Sequence, residues 1–252
     1  MRAEPAVATR ARKALCAAAI LLAVGVAASS CTPTQARATA PAGPRARVVY
    51  SIATHRPVVF VTIDDGFIRD PRVIAFVRQS HWPISVFLIG KEARAGTNYF
   101  RQLQAAGATI NDHTDTHPHL PRLSYAAQEG QICKPVHEYP KLFGTHPVLF
   151  RAPWGHVSEA TLRAARACGF TTVIRWSAKA FEGNVVTNHP GPLRPGDIIL
   201  MHFLPYLYSD LVRLQHTLTQ AHLTVGRLED YMPDASTAPI SLYGVWSGKL
   251  AQ

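Results

Sequence analysis

Two adjacent carboxylates, Asp64 and Asp65, stand at the end of an apolar run that begins at residue 58. Neighbouring carboxylates repel each other, so one of them needs a proton, a cation or a metal ion close by. Gly66 follows them and allows the chain to turn sharply without a clash at Cβ. Because Asp-Gly is also a common pair in surface turns, this stretch alone is compatible with a plain turn or a polar site.

His113 and His117 are four positions apart, a spacing that lets two imidazoles meet one metal ion. The stretch lacks the glutamate of the His-Glu-x-x-His zinc motif, and the chain contains 12 histidines, so a chance pair is an alternative. Two histidines and one carboxylate form a metal site with open positions for water and substrate. Asp64 or Asp65 is the candidate carboxylate.

Arg151 and His202 also follow short apolar segments. Taken alone, the arginine is typical of a proline turn and the histidine of a structural position. Polar residues at the ends of several parallel strands, however, meet at one rim of a barrel, where such folds place their chemistry. The combination of Asp-Asp, His-His, Arg and His therefore predicts a catalytic face.

Strand-like and helix-like segments alternate along the chain, which favours a parallel sheet or barrel of the α/β class. The run from residue 58 is typical of a strand buried on both faces. Further strands are predicted at 84–89, 108–110, 148–150, 171–176, 198–201 and 223–225. These elements predict one catalytic domain over residues 57–232, followed by a C-terminal tail at 233–252.

The 252-residue chain is 47% hydrophobic, enough for a sizeable core, and carries a formal net charge of +10 at pH 7. A basic field favours acidic partners such as an anionic cell-wall polymer, anionic lipid or nucleic acid. The sequence shows no basic helix, no zinc finger and no pattern of stacking aromatic residues. Nucleic acid is therefore excluded as the expected partner.

Residues 1–30 are predicted to form a signal peptide, because basic residues precede an Ala-rich apolar run that ends in small residues. Cys31 follows them as in the lipobox of bacterial lipoproteins, although Ala28 stands where leucine is usual. We expect an exported protein with lipid on Cys31, anchored at the outer face of the membrane, or alternatively a plainly secreted one. Residues 31–56 are rich in Ala, Pro and Arg and predict a flexible tether.

Cys133 and Cys168 remain in the predicted catalytic domain. Export to an oxidising compartment permits a disulfide between them. Two buried thiols are the alternative.

Four motifs resemble those of the NodB-type polysaccharide deacetylases, carbohydrate esterase family four. They are Thr62-Ile-Asp-Asp-Gly66, His113-Thr-x-x-His117, Arg151-x-Pro-x-Gly155 and Leu200-x-His202, in the family's order and at about its spacing. The resemblance covers roughly residues 57–231, and Ile63 stands where the family usually has phenylalanine. It implies a distorted (β/α)7 barrel and removal of acetyl groups from N-acetyl sugars of peptidoglycan or chitin, or from acetylated xylan.

The resemblance makes Asp65, His113 and His117 the ligands of one divalent metal ion. Zinc is the first expectation, with cobalt, nickel or manganese as alternatives. Asp64 becomes the general base, Arg151 its neighbour, and His202 the general acid. The expected substrate-binding residues are Trp154, Gly155 and Leu200.

The chain departs from the family at its fourth motif, an Asp-x-x-Asp-Trp type sequence after the fifth strand. Residues 175–182 contain no aspartate, and Glu182 and Asp197 are the candidate substitutes. Trp154 also replaces the tyrosine common in the third motif. Both departures bear on substrate identity and catalytic power, and neither touches the expected metal ligands.

We therefore expect an exported, monomeric, metal-dependent deacetylase of a cell-wall glycan. One alternative is a C–N hydrolase of the same fold that acts on a small amide. Another is a membrane-tethered glycan-binding protein that has lost turnover. Asp64 and His202 argue against the second alternative, because a pure binder needs neither a base nor an acid.

Overall fold

The computed structural model describes residues 43–232, which form a sheet of mostly parallel strands with helices between them. The strands are Arg47–Val49 (β1), Val58–Asp65 (β2), Ser85–Leu88 (β3), Thr109–Asp112 (β4), Thr172–Ile174 (β5), Ala178–Phe181 (β6), Asn184–Thr187 (β7), Ile198–His202 (β8) and Thr224–Val225 (β9). The α-helices of this region are Pro71–Ser80 (α1), Gly90–Ala95 (α2), Thr97–Ala105 (α3), Tyr125–Phe143 (α4), Glu159–Ala167 (α5) and Leu207–Gln220 (α6). Short 3-10 turns lie at Leu120–Arg122, Pro153–Gly155 and Leu228–Tyr231.

Strand β2 lies at the centre of the sheet, whose order is β4-β3-β2-β8-β6-β7. It pairs in parallel with β3 and β8, while β7 pairs antiparallel with β6. Single bridges join Asp112 to Phe150 and Phe150 to Val173, which connects β4 with β5 and β1. The Ser177 N–H then donates to the Ile198 carbonyl and returns the chain to β8. The strands thus follow one another around a ring, which confirms the expected distorted α/β barrel.

The burial of β2 explains why the apolar run at this position forms a central strand. Every residue of β2 is buried. Val59 and Ile63 belong to an apolar cluster with side chains of α1, α3 and α6, whereas Phe60 belongs to a separate inner cluster. Because successive side chains of a strand point to opposite faces, Thr62 and Asp64 share the inner face with Phe60.

The ends of the parallel strands set the position of the polar residues. Asp65 ends β2, Asp112 ends β4 and His202 ends β8. The register aligns Asp64 with His202 across the β2–β8 pair. Parallel strands place their carboxyl ends on the same rim, so the candidate residues converge there as the sequence predicts.

Three parts of the fold differ from the sequence prediction. Strand β1 at Arg47–Val49 lies inside the predicted tether of residues 31–56, where a parallel pair with β5 orders an Arg- and Pro-rich stretch. The β6–β7 hairpin is an addition to the predicted elements; each of its strands has only four residues, and their exposed and buried positions alternate. At residues 148–150, two isolated bridges at Phe150 replace the predicted strand.

Several predictions fall outside the part of the chain that the structure describes. They concern the signal peptide at residues 1–30, the lipidation of Cys31 and the tail at 233–252. Within residues 43–232, no helix combines the length and apolar character needed to cross a membrane.

Cys133 and Cys168 form a disulfide, as the cysteine pattern predicts. Their Cα atoms are 5.0 Å apart. The bond joins α4 to the residue that caps the C-terminus of α5. It therefore ties together the two helices that flank the loop carrying Arg151.

Candidate active site

Asp65 turns its carboxylate to the same side as Asp64 by leaving the extended conformation. Successive strand residues normally point to opposite faces. Asp65, however, has φ 82°, which lies in the left-handed region that costs free energy for a residue with a Cβ. The result is that His113 Nε2 lies 3.7 Å from Asp64 Oδ2 and 3.6 Å from Asp65 Oδ1. Gly66 continues the turn at φ 108°, where an added Cβ would lie 2.5 Å from Leu88 Cδ1.

His113 presents one defined nitrogen to Asp65. The fully buried imidazole donates from Nδ1 to the Arg151 carbonyl oxygen at 2.8 Å. That hydrogen bond fixes the tautomer and leaves the Nε2 lone pair directed at the carboxylates. His117 Nε2 lies 3.4 Å from the same Asp65 Oδ1.

The loop between the two histidines is irregular and is held from outside. Thr114 and His117 have positive φ values of 67° and 62°, so the imidazoles converge through a loop and not through a helical turn. Between them, Asp115 pairs with Arg94 of α2 at 2.7 Å and with Lys134 of α4 at 2.8 Å. These ion pairs position the loop and with it both imidazoles.

The geometry and electrostatics of Asp65, His113 and His117 fit a divalent cation. One ligand atom from each lies within 4.8 Å of the others. Asp65 Oδ1 is buried and has no hydrogen-bond partner among the described residues. Burial lowers the pKa of His113 to about 4 and also lowers that of His117, so both imidazoles are neutral near pH 7, the form that can bind a cation. Burial, with Asp64 and Glu92, raises the pKa of Asp65 to about 7, which a bound cation would reverse.

Arg151 fixes Asp64 from the interior of the barrel. It is fully buried, and its Nη1 donates to Asp64 Oδ1 at 2.6 Å and to Thr62 Oγ1 at 2.8 Å. Its guanidinium carbon lies 4.1 Å from the centre of the Phe87 ring. One carboxylate oxygen of Asp64 is thus held by a cation, while Oδ2 faces His113.

The remaining contacts of Arg151 are with backbone carbonyls and not with either candidate substitute for the fourth motif. Its Nε donates to the Ile174 carbonyl at 3.3 Å and its Nη2 to the Arg175 carbonyl at 3.2 Å. Asp197 is instead engaged by Ser177 Oγ at 2.7 Å and His189 Nε2 at 3.0 Å. Glu182 lies exposed in the β6–β7 turn with φ 47°. Among the contacts of the described residues, neither candidate substitute reaches Arg151, and backbone carbonyls orient the arginine.

His202 lies across the rim from the histidine pair. It is half-buried and faces the site because its register partner is Asp64. Burial is the largest influence and lowers the pKa of His202; Asp64 opposes this, while Arg151 and Lys179 add to it. Lys179 is not among the residues predicted from the sequence, although the alternation of Ala178–Phe181 and the two-residue link through Gly183 to Asn184–Thr187 are signals of the hairpin that carries it.

The three predicted substrate-binding residues have different surroundings. Trp154 is 62% exposed, and its ring centre lies 5.0 Å from that of His117. Gly155 has φ 67° and packs so closely on Trp176 that an added Cβ would lie 2.7 Å from its ring. Leu200 is buried two residues before His202 and therefore lies on the same face of β8. Of the three, Trp154 alone is exposed at the rim.

Comparison with known proteins agrees with this geometry. The family model described as polysaccharide deacetylase matches residues 51–173. The chain is 34% identical over 191 residues to an uncharacterised protein of Streptomyces coelicolor, covering 73% of this chain and 77% of that protein. It is 28% identical over 155 residues to a peptidoglycan-N-acetylglucosamine deacetylase of Bacillus cereus, covering 58% of this chain and 56%, or little more than half, of that relative.

A solved structure shows the same fold. The family 4 carbohydrate esterase from Streptomyces lividans, in complex with acetate, superposes with a TM-score of 0.60 at 26% identity, covering 67% of this chain and 91% of that one. The matched region contains the rim on which Asp64, the histidine pair and Arg151 converge. On sequence, fold and site, the chain belongs to the polysaccharide deacetylase family.

Proposed function

We propose that this protein is a metal-dependent hydrolase that removes N-acetyl groups from the sugars of a cell-wall glycan. The observation that carries the proposal is the position of Asp64. One of its oxygens is held by the buried Arg151 at 2.6 Å, and the other lies 3.7 Å from His113. A carboxylate held in this way is a base aimed at the place where a cation and a water would sit. Relatives named for peptidoglycan and chitooligosaccharide deacetylation support this substrate class.

Asp65, His113 and His117 would hold the divalent cation, with zinc as the first candidate. When bound, the cation polarises the acetyl carbonyl and acidifies the attacking water. Asp64 takes a proton from that water as its oxygen attacks the acetyl carbon. The Trp154 backbone N–H, on the same rim, is the candidate second donor to the carbonyl oxygen.

His202 completes the reaction on the opposite side of the rim. The C–N bond breaks, and the protonated form of His202, which its lowered pKa makes a stronger acid, gives its proton to the departing nitrogen. The products are acetate and a sugar amine. Over one turnover the proton gained by Asp64 balances the proton lost by His202.

Exposed aromatic rings on the rim suit a sugar substrate. Trp154 is 62% exposed beside His117, and Phe181 is 46% exposed against Tyr206, whose ring centre lies 4.9 Å away. The apolar C–H faces of sugar rings can pack on such aromatic surfaces. Together with the basic charge of the chain, they favour peptidoglycan first and chitin-like oligomers second.

Acetate release from peptidoglycan fragments is expected to stop on addition of a chelator and to return with zinc or cobalt. The measurement is enzymatic quantification of acetate against a set of glycans and simple aryl amides. Rapid turnover of a small amide, with none on any glycan, would identify a C–N hydrolase of the same fold. Glycan binding without acetate release under any added metal would identify a non-catalytic binding protein.

Export and anchoring form a separate part of the proposal and rest on residues 1–31, outside the described region. We expect lipid on Cys31 to hold the protein at the outer face of the membrane. Replacing Cys31 with serine should move the protein from the membrane fraction to the medium, because the acceptor of the lipid is lost. Unchanged fractionation of Cys31→Ser would contradict anchoring and favour a plain secretory signal.

A further inference from the structure

A lysine stands at the mouth of the site, on the strand that follows the missing fourth motif. In β6, Ala178 and Ala180 are buried in the outer apolar cluster, whereas Lys179 and Phe181 are exposed. Side chains alternate along a strand, so Lys179 and Phe181 lie on the inner face. The register aligns Lys179 with Leu200, and two residues further along β8 is His202. Lys179 therefore shares the rim with the proposed general acid.

The ammonium of Lys179 is not engaged by an acidic side chain. Its Nζ lies 5.5 Å from the centre of the Trp176 ring, and within residues 43–232 it forms no ion pair. Two acidic residues of the neighbouring elements are engaged elsewhere. Asp210 accepts the backbone N–H groups of Glu182 at 3.0 Å and Gly183 at 2.7 Å, and Asp64 is paired with Arg151. The positive charge of Lys179 nevertheless reaches His202, whose pKa it helps to lower.

An exposed cation beside aromatic rings is a ready site for an anionic group of a ligand. An ammonium and a carboxylate form a charge-assisted hydrogen bond, which is stronger than a neutral one. The partly water-excluded wall formed by Trp176 strengthens it further. Lys179 adjoins the residue that protonates the leaving nitrogen, so the anion would lie close to the scissile amide.

We propose that Lys179, with Trp176 and Phe181, forms a subsite for a carboxylate on the same sugar that carries the scissile N-acetyl group. The preferred substrate is then an acidic N-acetyl amino sugar, such as one with a lactyl ether on the ring carbon next to the acetamido group. Neutral N-acetyl sugars are the poorer substrates. This inference rests on the proposed deacetylase function and narrows its substrate class.

The test compares two oligosaccharides that differ in one group: one with lactyl carboxylates, the other with the same carboxylates converted to amides. Wild-type enzyme should show a higher kcat/KM for the acid. Lys179→Met, which keeps the stem against Trp176, should reduce the acid-to-amide ratio of kcat/KM about tenfold, mainly through KM. Lys179→Glu should reverse the preference. Lys141→Met, on the exposed face of α4, is the matched control and should keep the wild-type ratio.

Two results would overturn the subsite. One is a wild-type enzyme that does not distinguish acid from amide. The other is a Lys179→Met variant that slows both substrates by the same factor, which would make Lys179 a modulator of His202. If wild type releases acetate from neither substrate, the deacetylase proposal itself fails. In that case the subsite is tested by measuring the Kd of both oligosaccharides by calorimetry. Equal Kd values for the acid and the amide would reject the subsite.

Discussion

Replacing Asp64 with asparagine is expected to reduce kcat for acetate release by about 10³-fold or more, within the range of general base catalysis. An amide cannot accept the proton of the attacking water, yet it keeps nearly the same shape. The remaining oxygen can still accept the hydrogen bond that Arg151 donates at 2.6 Å in the wild type. A thousandfold loss of kcat corresponds to a rise of about 4 kcal/mol in the activation free energy. Steady-state kinetics on a soluble acetylated oligosaccharide gives the value directly.

The same substitution leaves Arg151 buried without its counterion, so stability must be measured beside activity. Removing one partner of a buried ion pair can cost about 3–5 kcal/mol. Thermal unfolding and zinc content separate this loss from the chemical effect. Asp230→Asn makes the same chemical change on an exposed residue of the last 3-10 turn and serves as the control. An Asp64→Asn variant that is folded, metal-loaded and nearly as active as wild type would exclude Asp64 as the base.

The part of the site that lies on long apolar strands could be predicted from the sequence. The run at Val58–Asp65 is buried at every position, and its end places Asp64 and Asp65 on the rim. The parallel register with β8 then aligns His202 with Asp64. This placement can be predicted because the hydrophobic pattern and the direction of a strand are properties of the whole strand, which the sequence shows.

The local backbone of the site could not be predicted in the same way. Nothing in the sequence indicates that Asp65 takes φ 82°, or that Thr114 and His117 are left-handed as well. These conformations cost free energy at each residue and persist because surrounding contacts fix them. Asp115 forms ion pairs with Arg94 and Lys134, which lie on two different helices. These ion pairs have no sequence signature.

The missing fourth motif shows where residue matching alone misleads. A search for a replacement carboxylate selects Glu182 and Asp197, but Asp197 is bonded to Ser177 and His189. Arg151 instead donates to two backbone carbonyls, and carbonyl groups are present at every residue. A backbone acceptor leaves no trace in the sequence, so this solution is visible in the structure alone.

Replacing His113 and His117 together with alanine is expected to abolish stoichiometric zinc binding, with Kd raised by more than about 100-fold. Loss of hydrogen-bonding partners around metal ligands already costs about 10–100-fold, and loss of the ligands themselves costs more. Elemental analysis of the purified wild type should give one metal ion per chain. The experiment should use His156→Ala as its control, since His156 contacts His119 and lies outside the proposed triad.

The affinity for zinc should also depend on pH, because the proposed ligands can bind protons in the same range. In the absence of a cation the pKa of Asp65 is raised to about 7, and that of His113 is lowered to about 4. Below pH 7 the Asp65 carboxyl is protonated, and the cation must displace that proton, so Kd should rise about tenfold per pH unit between pH 7 and 5. Above pH 7 this competition disappears and affinity levels off.

Stoichiometric zinc in the variant that lacks both His113 and His117, or loss of zinc in His156→Ala, would contradict the proposed ligands and place the metal elsewhere on the rim.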